Sequence, residues 1–177
     1  LKFTKIIDLD KPWGSSFINS NELLVTEKSG KLKIINIENN HIKEIEHNLK
    51  FLEYGQGGLL DIIYKDGYIW ISYTEDRGNS KTSTSIAKGK FDKKKIFFEN
   101  IFQANPPIES GYHFGSRLAI KGNYIFASLG ERGQGMIAQN ATSHPGSIIR
   151  IHLDGTIPID NPKFKDKKNW LPEIYQI

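Results

Sequence analysis

Three segments of the chain repeat one pattern, in which two β-rich apolar runs flank a polar corner that contains glutamate and glycine. The run before each corner occupies residues 22–26, 68–73 and 124–129, and the run after it occupies residues 31–35, 85–91 and 147–151. Short runs of this kind, bounded by Gly, Asn, Asp and Pro, predict strands, and almost no stretch has helical period. The sequence therefore predicts an all-β chain built on three related hairpins.

Further apolar runs flank these hairpins and predict additional strands. One precedes each hairpin, at residues 16–18, 59–64 and 117–120, and another follows the first two, at residues 42–45 and 96–102. In the third unit, residues 171–177 are the segment that could begin a fourth strand. Four short strands per unit, repeating at roughly 45 to 60 residues, are typical of β-propeller blades.

The repeats predict one domain, residues 1–177, with approximate blades at residues 10–50, 55–104 and 113–177. Propellers close with typically four to eight blades, so we expect about half of a propeller, truncated at its C-terminus. Blade faces left uncovered at the open ends are expected to make the chain self-associate. A stable, monodisperse monomer would contradict that expectation.

The composition excludes several classes of protein. Because the 177 residues include no cysteine, they form no disulfide, no thiolate nucleophile and no cysteine metal site. The net charge of +4 invites nucleic-acid binding, but the lysine clusters at 93–95 and 163–168 lack the interleaved aromatic and arginine side chains of such surfaces. No apolar run approaches the roughly 18 residues of a membrane span. We therefore expect neither a nucleic-acid partner nor a membrane span.

The third unit carries the best candidate for chemistry. His113 lies just before the first run of this unit, and Glu131 lies in the glycine-rich corner after its second run. A carboxylate beside an imidazole fixes its tautomer and stabilises its protonated form, so the other ring nitrogen can act as a general base. However, Glu27 and Glu75 occupy the same corner in the other two units. Glu131 is therefore also open to interpretation as a repeated structural turn residue.

Seven segments, in order along the chain, together resemble the soluble quinoprotein glucose/sorbosone dehydrogenases, also called aldose sugar dehydrogenases. They are PWG at 12–14, LLVTEKSGKL at 23–32, GQGGLLD at 55–61, SGYHFGSRL at 110–118, SLGERG at 128–133, AQNATSHPGSIIRI at 138–151 and HLDGTIPIDNP at 152–162. The resemblance implies a six-bladed propeller that binds pyrroloquinoline quinone and Ca²⁺ at its central mouth. It also implies oxidation of the C1 hydroxyl of an aldose to a lactone, and a periplasmic or secreted location.

The resemblance assigns roles to four residues. The histidine of the family's H-x-[GS]-[GS]-R-L motif is the general base and matches His113, while Glu131 stands where the family usually has the assisting aspartate. Gln56 and Gln139 match two glutamines that lie against the quinone. The family's arginine–asparagine loop and calcium loop have no counterpart here. The resemblance thus implies that the metal ligands and most cofactor ligands lie outside these residues, and that the 177 residues alone are inactive.

Two other functions stay open at this stage. The first is a propeller of the same fold used only for binding, in which the histidine and the acid are a structural remnant. The second is a metal-dependent lactonase propeller, which needs glutamate, asparagine and aspartate ligands converging from several blades. The sequence shows no such set.

Overall fold

The computed structural model describes residues 3–164 and 169–177, which form three sheets in chain order. The first contains β1 (Pro12–Phe17), β2 (Glu22–Glu27), β3 (Leu32–Asn36) and β4 (Ile42–His47); the second contains β5 (Leu59–Lys65), β6 (Tyr68–Asp76), β7 (Thr82–Lys90) and β9 (Phe98–Gln103); the third contains β10 (Gly115–Lys121), β11 (Tyr124–Leu129), β12 (Ile148–His152) and β13 (Ile174–Gln176). Each is an antiparallel meander. The described residues also include a 3₁₀ helix, Gly135–Gln139.

The prediction of an all-β chain with three four-stranded units is confirmed, including the fourth strand of the third unit, which pairs with β12 as β13. The proposed division into one partial domain with blades at 10–50, 55–104 and 113–177 stays a prediction. The lysine cluster at 163–168 lies mostly outside the described residues.

The run at residues 96–102 was predicted as one strand, and this was wrong. It is divided between β8 (Lys95–Ile96), which pairs in parallel with β4 of the first sheet, and β9 of the second sheet. At the division, Oδ1 of Asn48 accepts the backbone N–H of Phe98 at 2.7 Å, and Nδ2 of Asn48 donates to the Phe98 carbonyl at 3.1 Å. The buried side chain of Ile96 then packs in the core between the first two sheets.

The hydrophobic core lies in two layers, one on each side of the middle sheet. Because successive side chains of a strand point to opposite faces, β6 contributes Ile69 and Ile71 to the layer shared with the first sheet and Trp70 to the layer shared with the third. The Trp70 indole N–H also donates to the carbonyl of Leu153, at 3.0 Å. Burial on both faces explains why β6 reads as a nearly continuous apolar run.

The first strands of the three sheets, β1, β5 and β10, lie next to one another. Side-chain hydroxyls connect neighbouring sheets there, since Thr26 donates to the carbonyl of Leu60 at 2.5 Å and Ser72 donates to the carbonyl of Ser116 at 2.8 Å. In an antiparallel pair, the loop entering the first strand and the corner leaving the second strand meet at one end of the sheet. We call the end of the three sheets at which these loops and corners meet the mouth.

No helix in residues 3–164 or 169–177 is both long and apolar enough to cross a membrane. Large apolar side chains are exposed on the outer sheets, including Trp13 and Phe17 of β1 and Tyr175 of β13. Self-association through such faces stays a prediction.

Candidate functional site

The candidate site lies at the mouth of the third sheet, where the segment entering β10 meets the corner that follows β11. The Gly130 backbone N–H donates to the carbonyl of Phe114, at 3.1 Å, which joins the two segments directly. A Cβ atom on Gly130 would lie 1.8 Å from the carbonyl oxygen of His113. The absence of a side chain at this position is therefore what lets the corner approach His113.

His113 and Glu131 are in contact, as the sequence predicted. Nδ1 of His113 hydrogen-bonds Oε1 of Glu131, and the same oxygen accepts the backbone N–H of Gly133 at 3.1 Å. Because an ionised carboxylate only accepts hydrogen bonds, Nδ1 carries the proton and Nε2 of the neutral ring keeps its lone pair. The His113 side chain is 53% exposed, and no residue in the described part of the chain bonds its Nε2.

The backbone of His113 lies in the left-handed region, with φ of +48°. Few residues other than glycine adopt this conformation, which costs of the order of 1 kcal/mol. Its backbone N–H donates to Oε1 of Gln56, at 2.9 Å. The Gln56 backbone N–H in turn donates to the carbonyl of Gly111, at 2.7 Å. Two hydrogen bonds therefore join the segment before β5 to the segment before β10.

These contacts join three of the four predicted site residues. His113, Glu131 and Gln56 form one connected group, and the side-chain nitrogen of Gln56 has no bonding partner in residues 3–164 or 169–177. Gln139 is exposed at the end of the 3₁₀ helix, further along the connection from β11 to β12. Their roles in binding and catalysis stay predictions.

The three glutamates predicted at equivalent corners differ in place and in partner, since Glu27 ends β2, Glu75 lies within β6 and Glu131 follows β11. Glu27 is fully buried and forms an ion pair with Lys33 at 2.7 Å. Glu75 accepts a hydrogen bond from the hydroxyl of Ser85 at 2.6 Å. Glu131 instead binds an imidazole at the mouth. The structural interpretation accounts for the first two glutamates, whereas the third holds a side chain capable of acid–base chemistry.

Another histidine–glutamate pair joins the connection between β11 and β12 to the segment before β13. His144 is buried, its Nδ1 accepts the backbone N–H of Asn105 at 2.9 Å, and its Nε2 lies 3.5 Å from Oε2 of Glu173. Its ring packs edge-on against Phe102 of the second sheet. His144 therefore joins the second and third sheets.

Sequence reasoning missed the part played by Arg132, which follows Glu131 directly. Its side chain is buried, and its guanidinium donates to the carbonyls of Ser110, Tyr112 and Thr82 and to the Thr82 hydroxyl. Burial lowers the pKa of Arg132 to about 10, so the group is still cationic at neutral pH. An arginine in a glycine-rich corner ordinarily suggests a solvated side chain, and no local signal indicates its burial.

The His113–Glu131 contact predicts a pH dependence of stability. The hydrogen bond from His113 lowers the pKa of Glu131 below its ordinary value of 4.5. Since the folded-state pKa lies below that of the unfolded chain, the contribution is complete above about pH 4.5 and is lost as the pH falls through the folded-state value. Acidification from neutrality to about pH 3 should therefore remove more stability from the wild type than from Glu131→Gln.

Urea unfolding at several pH values measures this difference. Glu99→Gln is the matched control, because Glu99 is an exposed carboxylate on β9. We expect it to follow the wild type at every pH. Equal acid sensitivity of the wild type and Glu131→Gln would contradict the pairing of Glu131 with His113 in solution.

Comparison with known protein families matches residues 9–177 to the family described as glucose/sorbosone dehydrogenase. A curated relative, the aldose sugar dehydrogenase YliI of Escherichia coli K12, is 32% identical over 168 residues, which cover 89% of this chain and 45% of the relative.

Solved structures share the fold. A glucose dehydrogenase crystal structure superposes with a TM-score of 0.89 at 27% identity, over 97% of this chain and 53% of that one. The quinone-bound form of an aldose sugar dehydrogenase from Streptomyces coelicolor superposes with a TM-score of 0.79 at 21% identity, over 96% of this chain and 50% of that one. These likenesses confirm the predicted β-propeller class. The chain spans about half the length of the relatives that it matches.

Proposed function

Because the chain belongs to the glucose/sorbosone dehydrogenase family, we propose that the intact protein oxidises the C1 hydroxyl of an aldose to a lactone with pyrroloquinoline quinone. The observation that carries the proposal is the His113 ring, whose Nδ1 is held by Glu131 while Nε2 stays available at the mouth. An imidazole prepared in this way can take a proton from a hydroxyl group placed within hydrogen-bond reach of it.

In the proposed reaction His113 works as the general base. Its Nε2 removes the proton of the C1 hydroxyl as the hydride leaves C1, and Glu131 stabilises the positive charge that develops on the ring. Glu131 also keeps the ring from rotating, because its Oε1 is itself held by the backbone N–H of Gly133. Gln56 holds the backbone of the base in place through the N–H of His113.

The described residues fit part of a quinone site. The free side-chain nitrogen of Gln56 is a hydrogen-bond donor beside His113, and pyrroloquinoline quinone presents carbonyl and carboxylate acceptors. Pyrroloquinoline quinone would supply the two-electron acceptor for the sugar hydride. Gln139 is proposed as a second contact to the same group.

The described residues offer no cluster of acidic or histidine side chains to which the calcium implied by the family can be assigned. No group of three or more histidine, aspartate or glutamate side chains that could hold a metal ion occurs in residues 3–164 or 169–177. We therefore propose that the calcium ligands implied by the family come from other segments. A periplasmic or secreted location is proposed on the family resemblance.

The test is sugar-dependent reduction of an artificial dye, with added quinone and Ca²⁺. We expect the intact protein to reduce the dye when an aldose is present, and the 177 residues alone to leave it oxidised, because they cover about half of the enzymes they resemble. An intact protein that binds quinone but oxidises no aldose would contradict the dehydrogenase and favour a binding propeller. Dye reduction by the 177 residues alone would contradict the second expectation.

A further inference from the structure

Arg132 is a buried cation without an acidic partner in the described part of the chain. Its residue exposure is 4%, and none of the ion pairs among residues 3–164 and 169–177 includes it. Removing a guanidinium from water is costly unless its donors are satisfied. Here neutral oxygen atoms satisfy them: the carbonyl and hydroxyl of Thr82, and the carbonyls of Ser110 and Tyr112.

Two of these acceptors belong to the segment that carries His113. Nε of Arg132 donates to the carbonyl of Tyr112 at 2.9 Å, and the guanidinium carbon lies 3.8 Å from the centre of the Phe114 ring. Arg132 therefore contacts the residues immediately before and after His113. The third point of attachment, Thr82, begins β7 in the neighbouring sheet, so the segment is tied to a rigid element.

The conformation of His113 makes such a restraint necessary. A histidine held at φ of +48° relaxes toward more favourable backbone angles unless its surroundings prevent it. A rotation there would swing the imidazole away from Glu131. Glu131 and Arg132 are consecutive residues; Glu131 holds the ring of His113, and Arg132 holds the carbonyl of the residue before it, Tyr112.

We propose that Arg132 is a positioning residue, which fixes the segment at 110–114 so that the His113 ring stays on Glu131. Its significance for catalysis rests on the proposed function, but its effect on His113 does not. The neutral partners of Arg132 suit this role, because a guanidinium already bonded to neutral oxygen atoms does not compete with the imidazole of His113 for the carboxylate of Glu131. Glu131 then accepts hydrogen bonds from the His113 ring and from the backbone N–H of Gly133.

The test uses Arg132→Met, Arg132→Lys and a control, Arg150→Met, in the intact protein. Arg150 is also a buried arginine of the third sheet, but it bonds Asn161 and Asp160 and contacts no residue of the segment at 110–114. Two readouts report on His113 without any need for activity: the ¹⁵N shifts of its ring nitrogens, which identify the tautomer, and hydrogen exchange of its backbone N–H.

In the wild type and in Arg150→Met we expect the neutral ring to carry its proton on Nδ1. In Arg132→Met we expect the proton to move largely to Nε2, and the His113 N–H, now less well held on Gln56, to exchange at least about tenfold faster. Arg132→Lys should be intermediate, because lysine keeps the charge but loses the planar fork.

A folded Arg132→Met with an unchanged tautomer and unchanged exchange at His113 would overturn the proposal and leave Arg132 a purely structural residue. If Arg132→Met fails to fold, the same two readouts in Arg132→Lys decide. The proposed function fails separately, through an intact protein that keeps the Nδ1–H tautomer and yet oxidises no aldose.

Discussion

Replacing His113 by glutamine is expected to lower kcat/KM for sugar oxidation by the intact protein about 10²- to 10⁴-fold. Glutamine keeps a polar side chain of similar reach, but it does not accept a proton near neutral pH. The affinity of the His113→Gln protein for quinone should change little, because Gln56 bonds the backbone N–H at position 113 and not the ring. Steady-state dye reduction together with a quinone titration separates the two effects.

His152→Gln is the control for this experiment. His152 ends β12, and its ring stacks on Tyr124, far along the sheet from the corner that holds Glu131. We expect its activity to lie within about twofold of the wild type. If His113→Gln retained wild-type activity with quinone bound, the base would be another residue, and the His113–Glu131 pair would be a structural remnant.

Replacing Gly130 by alanine is expected to destabilise the fold by about 3 kcal/mol and to displace His113. The added Cβ would lie 1.8 Å from the carbonyl oxygen of His113, 2.4 Å from its carbonyl carbon and 2.9 Å from the backbone nitrogen of Gly115. All three atoms are backbone atoms, so no side chain can rotate to make room. The corner and the segment entering β10 must separate, which breaks the approach that brings Glu131 to the imidazole.

Gly133→Ala is the matched control, three residues further along the same corner. No heavy atom lies within 4 Å of a Cβ at Gly133, although its φ of +78° makes alanine strained. We expect that strain to cost about 1 to 2 kcal/mol. Urea unfolding gives both free energies of unfolding, and the His113 ring signals report on the site. A Gly130→Ala chain no less stable than Gly133→Ala would contradict the close approach of the two segments.

The strands were predictable because their signals are local. Apolar residues in short β-rich runs, separated by glycine and asparagine corners, specify a hairpin wherever they occur. The division at residues 95–98 was not predictable, because it depends on the amide of Asn48 and on the packing of Ile96 against a different sheet. Nothing within the run itself indicates that its two ends belong to different sheets.

The sequence predicted which two side chains meet at the candidate site, but it did not predict the hydrogen bonds that hold the segment around His113. A histidine before one strand and an acid after the next must meet at one end of an antiparallel hairpin, so the pairing of His113 with Glu131 follows from the order of the strands. The hydrogen bonds of Arg132 reach Thr82, which is 50 residues away in the sequence and lies in another sheet. The hydrogen bond from the His113 N–H to Gln56 likewise joins residues that are 57 positions apart, since Gln56 lies before β5.

The amino-acid sequence by itself determined the β-rich repeats, the order of the strands and the residue types that meet at the mouth, since these depend on local pattern and on alternation along a strand. The tertiary structure decided which partners Glu27 and Glu75 bind, which arginine is buried, and how the segment around His113 is held. Those outcomes depend on contacts between sheets that are distant in sequence, and the free energy of a buried polar group is set by the partners that the complete fold brings to it.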